Sequence, residues 1–247
     1  LISGGEPYLR KDLPEIIQIY HDQCGITSAD TPTAGVNPNR VEELARRIAS
    51  ISPDLQITVG VSLDGPPDFH DRYRRGKRVF QQAIESIKRL KAVHEDHPNL
   101  WVNVLSVATK ENIELLPGMW EIVTGEVMPH FWHAELLRPF QRGQHIDPPS
   151  VEAMAALHEY VVEENRNLVL KDRPHEAALR LSHLESLYRH QRRFYEKGST
   201  GVDCLAGEVL GAVMPDGEVR LCEVLEGVGW LRDRDFDFWG IWRDAVS

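Results

Sequence analysis

From Leu13 to Leu137 the chain alternates between two hydrophobic periods, and few architectures accept that pattern. Leu13, Ile16, Ile17 and Tyr20 repeat at helical spacing, Ile26 to Thr33 is a weak strand candidate, and Asn39 with Glu42 opens a helix carrying Val41, Leu44, Ala45 and Ile48. Ile57 to Leu63 reads as a strand, and Phe80, Ile84, Ile87 and Leu90 mark the next helix. Leu100 to Ala108 is a strand, Ile113, Leu116, Trp120 and Val123 mark a helix, and Phe131 to Leu137 is a further strand. Parallel strands need helical crossovers, which are right-handed, so the order predicts an α/β fold with a parallel sheet. In such folds the site lies at the carboxyl ends of the strands.

Two segments offer chemistry at those ends. In Gly4-Gly5-Glu6-Pro7 the glycines permit left-handed backbone and let a ligand approach bare peptide groups, while Glu6 presents an acceptor-only carboxylate. Asp12 and Glu15 follow in capping-box spacing, with Pro14 in the first turn. A plain strand-to-helix turn with a solvated Glu6 satisfies the same residues. In Val59-Gly60-Val61-Ser62-Leu63-Asp64, alternation puts Ser62 and Asp64 on one face and Val59, Val61 and Leu63 on the other. On spacing alone, Asp64-Gly65-Pro66-Pro67 reads as a turn with an Asp-to-backbone bond.

Beyond the alternating region, Gln141 to Ser150 is a polar linker, and Val151 to Asn165 and His175 to Lys197 read as amphipathic helices, the first capped by Ser150. Gly198 to Gly201 is a joint, and Gly211 to Met214 with Glu218 to Leu221 predicts a β-hairpin turning at Pro215-Asp216-Gly217. With 42% hydrophobic and 27% charged residues the chain can bury a substantial core, and no apolar run reaches the roughly 18 residues of a membrane span. The net charge of −10 argues against a duplex-wrapping protein or one binding anionic membranes. Three scattered cysteines, Cys24, Cys204 and Cys222, argue for a reducing compartment, hence the cytoplasm, and without a C-x-x-C they do not encode a complete tetrahedral metal site.

The Gly-Gly-Glu-Pro segment resembles the motif of the radical S-adenosylmethionine (SAM) enzymes. Val59 to Pro66, with His70-Asp71-Arg72-Tyr73-Arg74 behind it, is similar to that family's fourth-strand segment. Cys204-Leu205-Ala206-Gly207 and Pro215 to Cys222 resemble the opening of its SPASM or twitch extension, with twelve residues between Cys204 and Gly217 and four between Gly217 and Cys222. The resemblance implies a partial (β/α)6 TIM-like barrel missing its first unit over residues 1–145, a helical linker over 146–200, and the start of a SPASM/twitch segment, with its small C-terminal β-hairpin, over 201–247. The C-x3-C-x2-C triad that would ligate the catalytic cluster is not in this sequence, so the chain is expected to be an inactive fragment.

The implied cofactors are SAM, a catalytic 4Fe-4S cluster and an auxiliary 4Fe-4S cluster. The implied activity is reductive cleavage of SAM to a 5'-deoxyadenosyl radical for peptide or protein modification. Partners would be a peptide or protein substrate and an electron donor such as a flavodoxin or ferredoxin. By resemblance, Glu6 with Gly4 and Gly5 holds the SAM ammonium and Pro7 belongs to the same cofactor-binding segment, Ser62 and Asp64 contact its ribose or amino-acid part, and Cys204 and Cys222 ligate the auxiliary cluster. Arg72 and Arg74 could pair with the SAM carboxylate, but for at least one of them a solvated loop arginine is the favoured reading. His130 and His133 are expected on opposite strand faces, and Cys24, Phe131-Trp132 and the aromatic tail Phe236 to Trp242 are expected to be structural. Two other readings remain: a non-catalytic peptide-binding or scaffold module on a degenerate barrel, and an α/β nucleotide-binding enzyme without iron.

Overall fold

A computed structural model describes residues 1–137, 140–141, 144–145, 148–172 and 174–246, so part of the expected 141–150 linker lies outside the described residues. Strands β1 (Ser28–Thr33), β2 (Gln56–Ser62), β3 (Leu100–Ala108) and β4 (Phe131–Leu136) form one parallel sheet in sequential order. Helix α1 (Leu13–Cys24) precedes β1, and between the strands run α2 (Pro38–Ala49), α3 (Pro67–Tyr73), α4 (Val79–Asp96) and α5 (Leu116–Glu126). Ile2 donates its N–H to the Asp30 carbonyl at 2.9 Å, which lays the residues before Gly4 against the edge of β1. This α/β arrangement is consistent with a partial barrel.

Alternation sorts the two faces of the sheet. Val59, Val61, Val102, Val104 and Trp132 are buried in one core with Leu44 and Ile48 of α2 and Ile84, Ile87 and Leu90 of α4. The opposite face carries Thr58, Gly60, Ser62, Asn103, Leu105, His133 and Glu135, and is only partly covered. A Cβ at Gly60 would lie 2.4 Å from Leu105 Cδ1, so any side chain there would have to displace Leu105.

Two helix starts differ from expectation. Helix α2 is capped by Asn37, whose Oδ1 accepts the Arg40 N–H at 3.3 Å, because Pro38 fits the first helical position and moves the start two residues ahead of Asn39. Asp12 precedes α1 without closing a capping box: Arg10 holds its carboxylate through Nε at 3.0 Å and Nη2 at 2.6 Å.

Helices α6 (Val151–Asp172) and α7 (Pro174–Lys197) belong to the same compact unit as the sheet, Leu1–Gly198. Ser150 Oγ accepts the Ala153 N–H at 3.1 Å, as its capping role predicts. These helices satisfy the free edge of β4 with side chains. Asn165 accepts the Trp132 N–H at 2.8 Å and donates to the Trp132 carbonyl at 2.7 Å, the Tyr188 hydroxyl accepts the Ala134 N–H at 3.3 Å, and Tyr195 donates to the Leu137 carbonyl at 2.8 Å. Residues Phe140–Gln141 (β5) and Gln144–His145 (β6) pair antiparallel.

The second unit, Ser199–Ser247, is a three-stranded antiparallel sheet of β7 (Ala212–Val213), β8 (Glu218–Arg220) and β9 (Gly227–Trp230), followed by α8 (Phe238–Val246). The expected hairpin is present: Gly217, at φ +94°, donates to the Met214 carbonyl at 2.9 Å. Of the aromatic segments expected in the core, Phe131 and Trp132 are buried, but Phe236 and Trp239 are 69% and 67% exposed. The tail turns at Asp235 and Phe236 in left-handed backbone, and α8 buries Ile241. Among the described residues no helix is long and apolar enough to cross a membrane.

His158 of α6 stacks on Tyr188 of α7 with ring centroids 3.8 Å apart, and neither imidazole nitrogen has a hydrogen-bond partner. Burial, and then the charge of Arg192, hold its pKa down to about 3. Because the folded value lies below the unfolded one of about 6.5, the stability contributed by the neutral ring is complete above that pH and is lost as the solution is acidified. His158→Phe keeps the stacked ring and removes the titrating group. Urea unfolding between pH 6 and 4 is expected to show wild type losing up to about 1.4 kcal/mol per pH unit that the variant retains. Identical pH slopes would refute this assignment.

Candidate active site at the carboxyl ends of the strands

The turn Gly4-Gly5-Glu6-Pro7 is fastened to the sheet by its own carboxylate. Glu6 Oε1 accepts the Tyr8 N–H at 3.1 Å, and Oε2 accepts the Ala34 N–H, just past β1, at 2.7 Å. An ionised carboxylate has about four acceptor sites, so both oxygens keep capacity for a further donor. Tyr8 is buried and its hydroxyl meets Thr31 Oγ1 at 2.9 Å, while Arg40 of α2 donates to the carbonyls of Tyr8 and Leu9. Gly4 sits at φ +102°, where side chains are strained, and a Cβ on Gly4 or Gly5 would meet nothing within 4 Å. Bare peptide groups therefore face open space beside a fixed carboxylate.

Ser62 joins this turn through the register. Thr33 lies opposite Val61, so Ala34, which Glu6 holds, is level with Ser62. Ser62 is half-buried, and its hydroxyl takes no partner among the described residues. On the same open face, Asn103 Oδ1 and His133 Nε2 are shut from solvent without hydrogen-bond partners. Desolvation pushes the His133 pKa down, so the ring is held neutral, with Glu135 Oε1 3.8 Å from Nε2. Unpaired polar atoms inside such a surface mark where a polar molecule belongs.

Asp64 has a different surrounding. Lying beyond the end of β2, it is 0% exposed and does not open beside Ser62. Arg74 donates to Asp64 Oδ2 through Nε at 2.8 Å and Nη2 at 2.7 Å, and Oδ1 accepts the Val107 N–H at 3.0 Å. His70 Nδ1 accepts the Asp64 N–H at 3.1 Å, and burial pushes that imidazole pKa down, keeping the nitrogen an acceptor. Asn112 Nδ2 donates to the carbonyls of Asp64 and Val107, at 2.8 and 2.9 Å. Arg74, whose side chain is 34% exposed, is the partly solvent-reached member of this pair, whereas Arg72 lies over the Phe69 ring.

Tyr8, Arg40 and Asn112 escaped the sequence reading. Each acts across more than twenty residues of chain, or through carbonyls that no motif marks, except Asn112, whose Thr109-x-x-Asn112 turn was a local signal. His130 accepts the Val102 N–H at the start of β3, away from His133 on the open face of β4. Cys24 is exposed at the end of α1, while Cys204, exposed, and Cys222, half-buried, lie in the second unit. Among the described residues no group of three or more His, Cys, Asp or Glu side chains could hold a metal ion. The open glycine backbone, the free Ser62 hydroxyl and the spare Glu6 acceptors offer hydrogen-bonding positions to a polar ligand that carries an amine.

Residues 1–114 match the profile of the radical SAM superfamily. Over 99% of its length the chain is 24% identical to Fe-coproporphyrin III synthase of Methanosarcina barkeri, covering 61% of that protein. Over 56% of its length it is 26% identical to pre-heme d1 synthase of Dinoroseobacter shibae, covering 31%. The chain thus spans less than two thirds of the curated relatives it matches. Among solved structures, SuiB of Streptococcus suis shares the fold at a TM-score of 0.60 and 14% identity, over 98% of this chain and 54% of that one. A second, anSMEcpe with bound AdoMet and Kp18Cys peptide, does so at 0.54 and 16%, over 94% and 63%.

Removing the Arg74 guanidinium leaves the Asp64 carboxylate buried with the Val107 N–H as its remaining donor. Arg74→Ala is expected to lower the unfolding free energy by about 2 kcal/mol, less than for a fully enclosed pair because solvent reaches Arg74. Chemical denaturation measures it, and a loss below about 0.5 kcal/mol, the range of ordinary surface substitutions, would contradict the role given to the pair.

Proposed function

We propose that the protein is the SAM-binding part of a radical enzyme, a reading supported by the match of residues 1–114 to the radical SAM superfamily profile. The observation that carries this reading is the Glu6-fastened glycine turn level with the free Ser62 hydroxyl. In this chemistry a reduced 4Fe-4S cluster supplies the electron that cleaves the SAM sulfonium. The peptide groups of Gly4 and Gly5 and the spare acceptors of Glu6 receive the SAM ammonium, with Pro7 fixing the turn behind them. Ser62 contacts the ribose or the amino-acid part, and Asp64 positions that rim through Arg74. Cys204 and Cys222 contribute two ligands to an auxiliary cluster, and an external one-electron donor such as a flavodoxin or ferredoxin completes the requirement.

A peptide or protein substrate is supported by the peptide-bound neighbour of the same fold. A tetrapyrrole is the second reading, favoured by the names of the two sequence relatives, one of them aligned along 99% of the chain.

Anaerobic iron and sulfide reconstitution of the full-length protein is expected to give SAM-dependent 5'-deoxyadenosine, and the absence of both iron and this product would sink the proposal. Glu6→Gln should weaken SAM binding by roughly 1.5 to 3 kcal/mol. Calorimetric titration reads this beside thermal unfolding, since Gln also replaces one acceptor with an NH2 donor that faces an N–H; unchanged affinity would remove Glu6 from the site. Cys204→Ala and Cys222→Ala should each lower the iron content of the full-length protein, and equal iron in wild type and variants would refute ligation.

A further inference from the structure

The segment between α3 and α4 concentrates positive charge on a chain whose net charge is −10. Arg72, Arg74, Arg75, Lys77 and Arg78 are all exposed within seven residues. Arg74 is committed to Asp64, and Arg72 lies over Phe69. Arg75, Lys77 and Arg78 take no ion pair among the described residues.

The loop is also held in a costly shape. Arg75 and Arg78 sit at φ +54° and +58°, the left-handed region that non-glycine residues rarely enter. Asp71 holds them there: its Oδ2 accepts the Arg78 N–H at 2.6 Å, its Oδ1 accepts the Phe80 N–H at 2.8 Å, and its carbonyl accepts the Gly76 N–H at 2.9 Å. Gly76 is required, since a Cβ there would lie 2.3 Å from Val79 Cγ2. Strained backbone persists only where its surroundings over-determine it, and such positions gather at functional sites. At its root the loop is tied by the Arg74–Asp64 pair to the end of β2, two residues beyond Ser62.

We propose that Arg75, Lys77 and Arg78 form a carboxylate-recognising rim at the mouth of the site, and that the substrate carries several carboxylates. The inference rests on the SAM reading above and names a chemistry shared by its two substrate classes, the propionates of a tetrapyrrole and the acidic side chains of a peptide. Exposed cations of this kind act by steering and orienting an anion at the edge of a site, with an effect that salt weakens.

The test uses the full-length protein and the variant Arg75→Gln/Lys77→Gln/Arg78→Gln, with Arg75→Lys/Arg78→Lys as a charge-retaining control. Fe-coproporphyrin III, followed by absorbance, and a labelled hexaglutamate peptide, followed by fluorescence anisotropy, are titrated at low and high salt; SAM affinity and thermal unfolding are measured alongside. At low salt one of the two probes is expected to bind the glutamine variant about tenfold more weakly than wild type, with the difference shrinking at ~1 M salt. The lysine control should bind as wild type does, and which probe responds identifies the source of the carboxylates. Equal binding of each probe to wild type and the glutamine variant, or binding of neither, overturns the rim while normal SAM affinity leaves the SAM reading standing. Loss of SAM binding by wild type itself would remove that reading instead.

Discussion

The buried carboxylate of Asp64 is the joint on which the site end of the sheet depends. Its Oδ1 receives a backbone N–H from the end of β3, its Oδ2 receives the guanidinium rooted in the following loop, and its own peptide group is held by His70 and Asn112. An ionised group of this kind is expensive to enclose, and it is tolerated because its acceptor sites are filled by charged or well-directed donors. One residue thereby ties the end of β2 to the end of β3 and to the root of the basic loop. Glu6 performs the same office at the other side of the site, between the glycine turn and β1, but it is left with acceptor capacity to spare.

That difference between two carboxylates explains how much of the site was legible in the chain. Both stand in motifs that the sequence displays; Asp64 falls just past the end of β2, and Glu6 is bonded to Ala34 just past the end of β1 without a strand of its own before it. Their environments depend on partners far away in sequence, Ala34 for Glu6 and Val107 for Asp64, and a backbone N–H leaves no signature in residue type. The strands from Leu100 to Ala108 and from Phe131 onward were readable because their apolar residues are buried by helices of matching period. Helix starts were less so: Asn37 and Asn39 flank the same Pro38, and only the geometry of the first turn decides which one caps. The exposed Phe236 and Trp239 show the limit of composition, since an aromatic side chain carries no mark of whether its face will be covered.

Function follows from the way these joints divide the labour. The glycine turn and Ser62 provide unhindered peptide groups and a free hydroxyl, both suited to a polar cofactor, and the sheet face below them keeps Asn103 and His133 dry and unpaired. The basic loop stands outside this arrangement and is anchored to it. The glycine turn with Ser62 and the basic loop are thus built from different residues, and the ion pair of Arg74 and Asp64 ties the loop to the end of β2.

Side chains take the place of a neighbouring strand along β4, where Asn165, Tyr188 and Tyr195 occupy its outward N–H and carbonyl groups. A strand partner would have continued the ladder and left its own far edge open to other chains. Capping by an amide and two phenols instead ends the sheet there, so the protein is guarded on that flank against pairing edge to edge with copies of itself. Such a guard is only as durable as the packing of two helices, and loosening α7 would turn a sealed border into a template for aggregation.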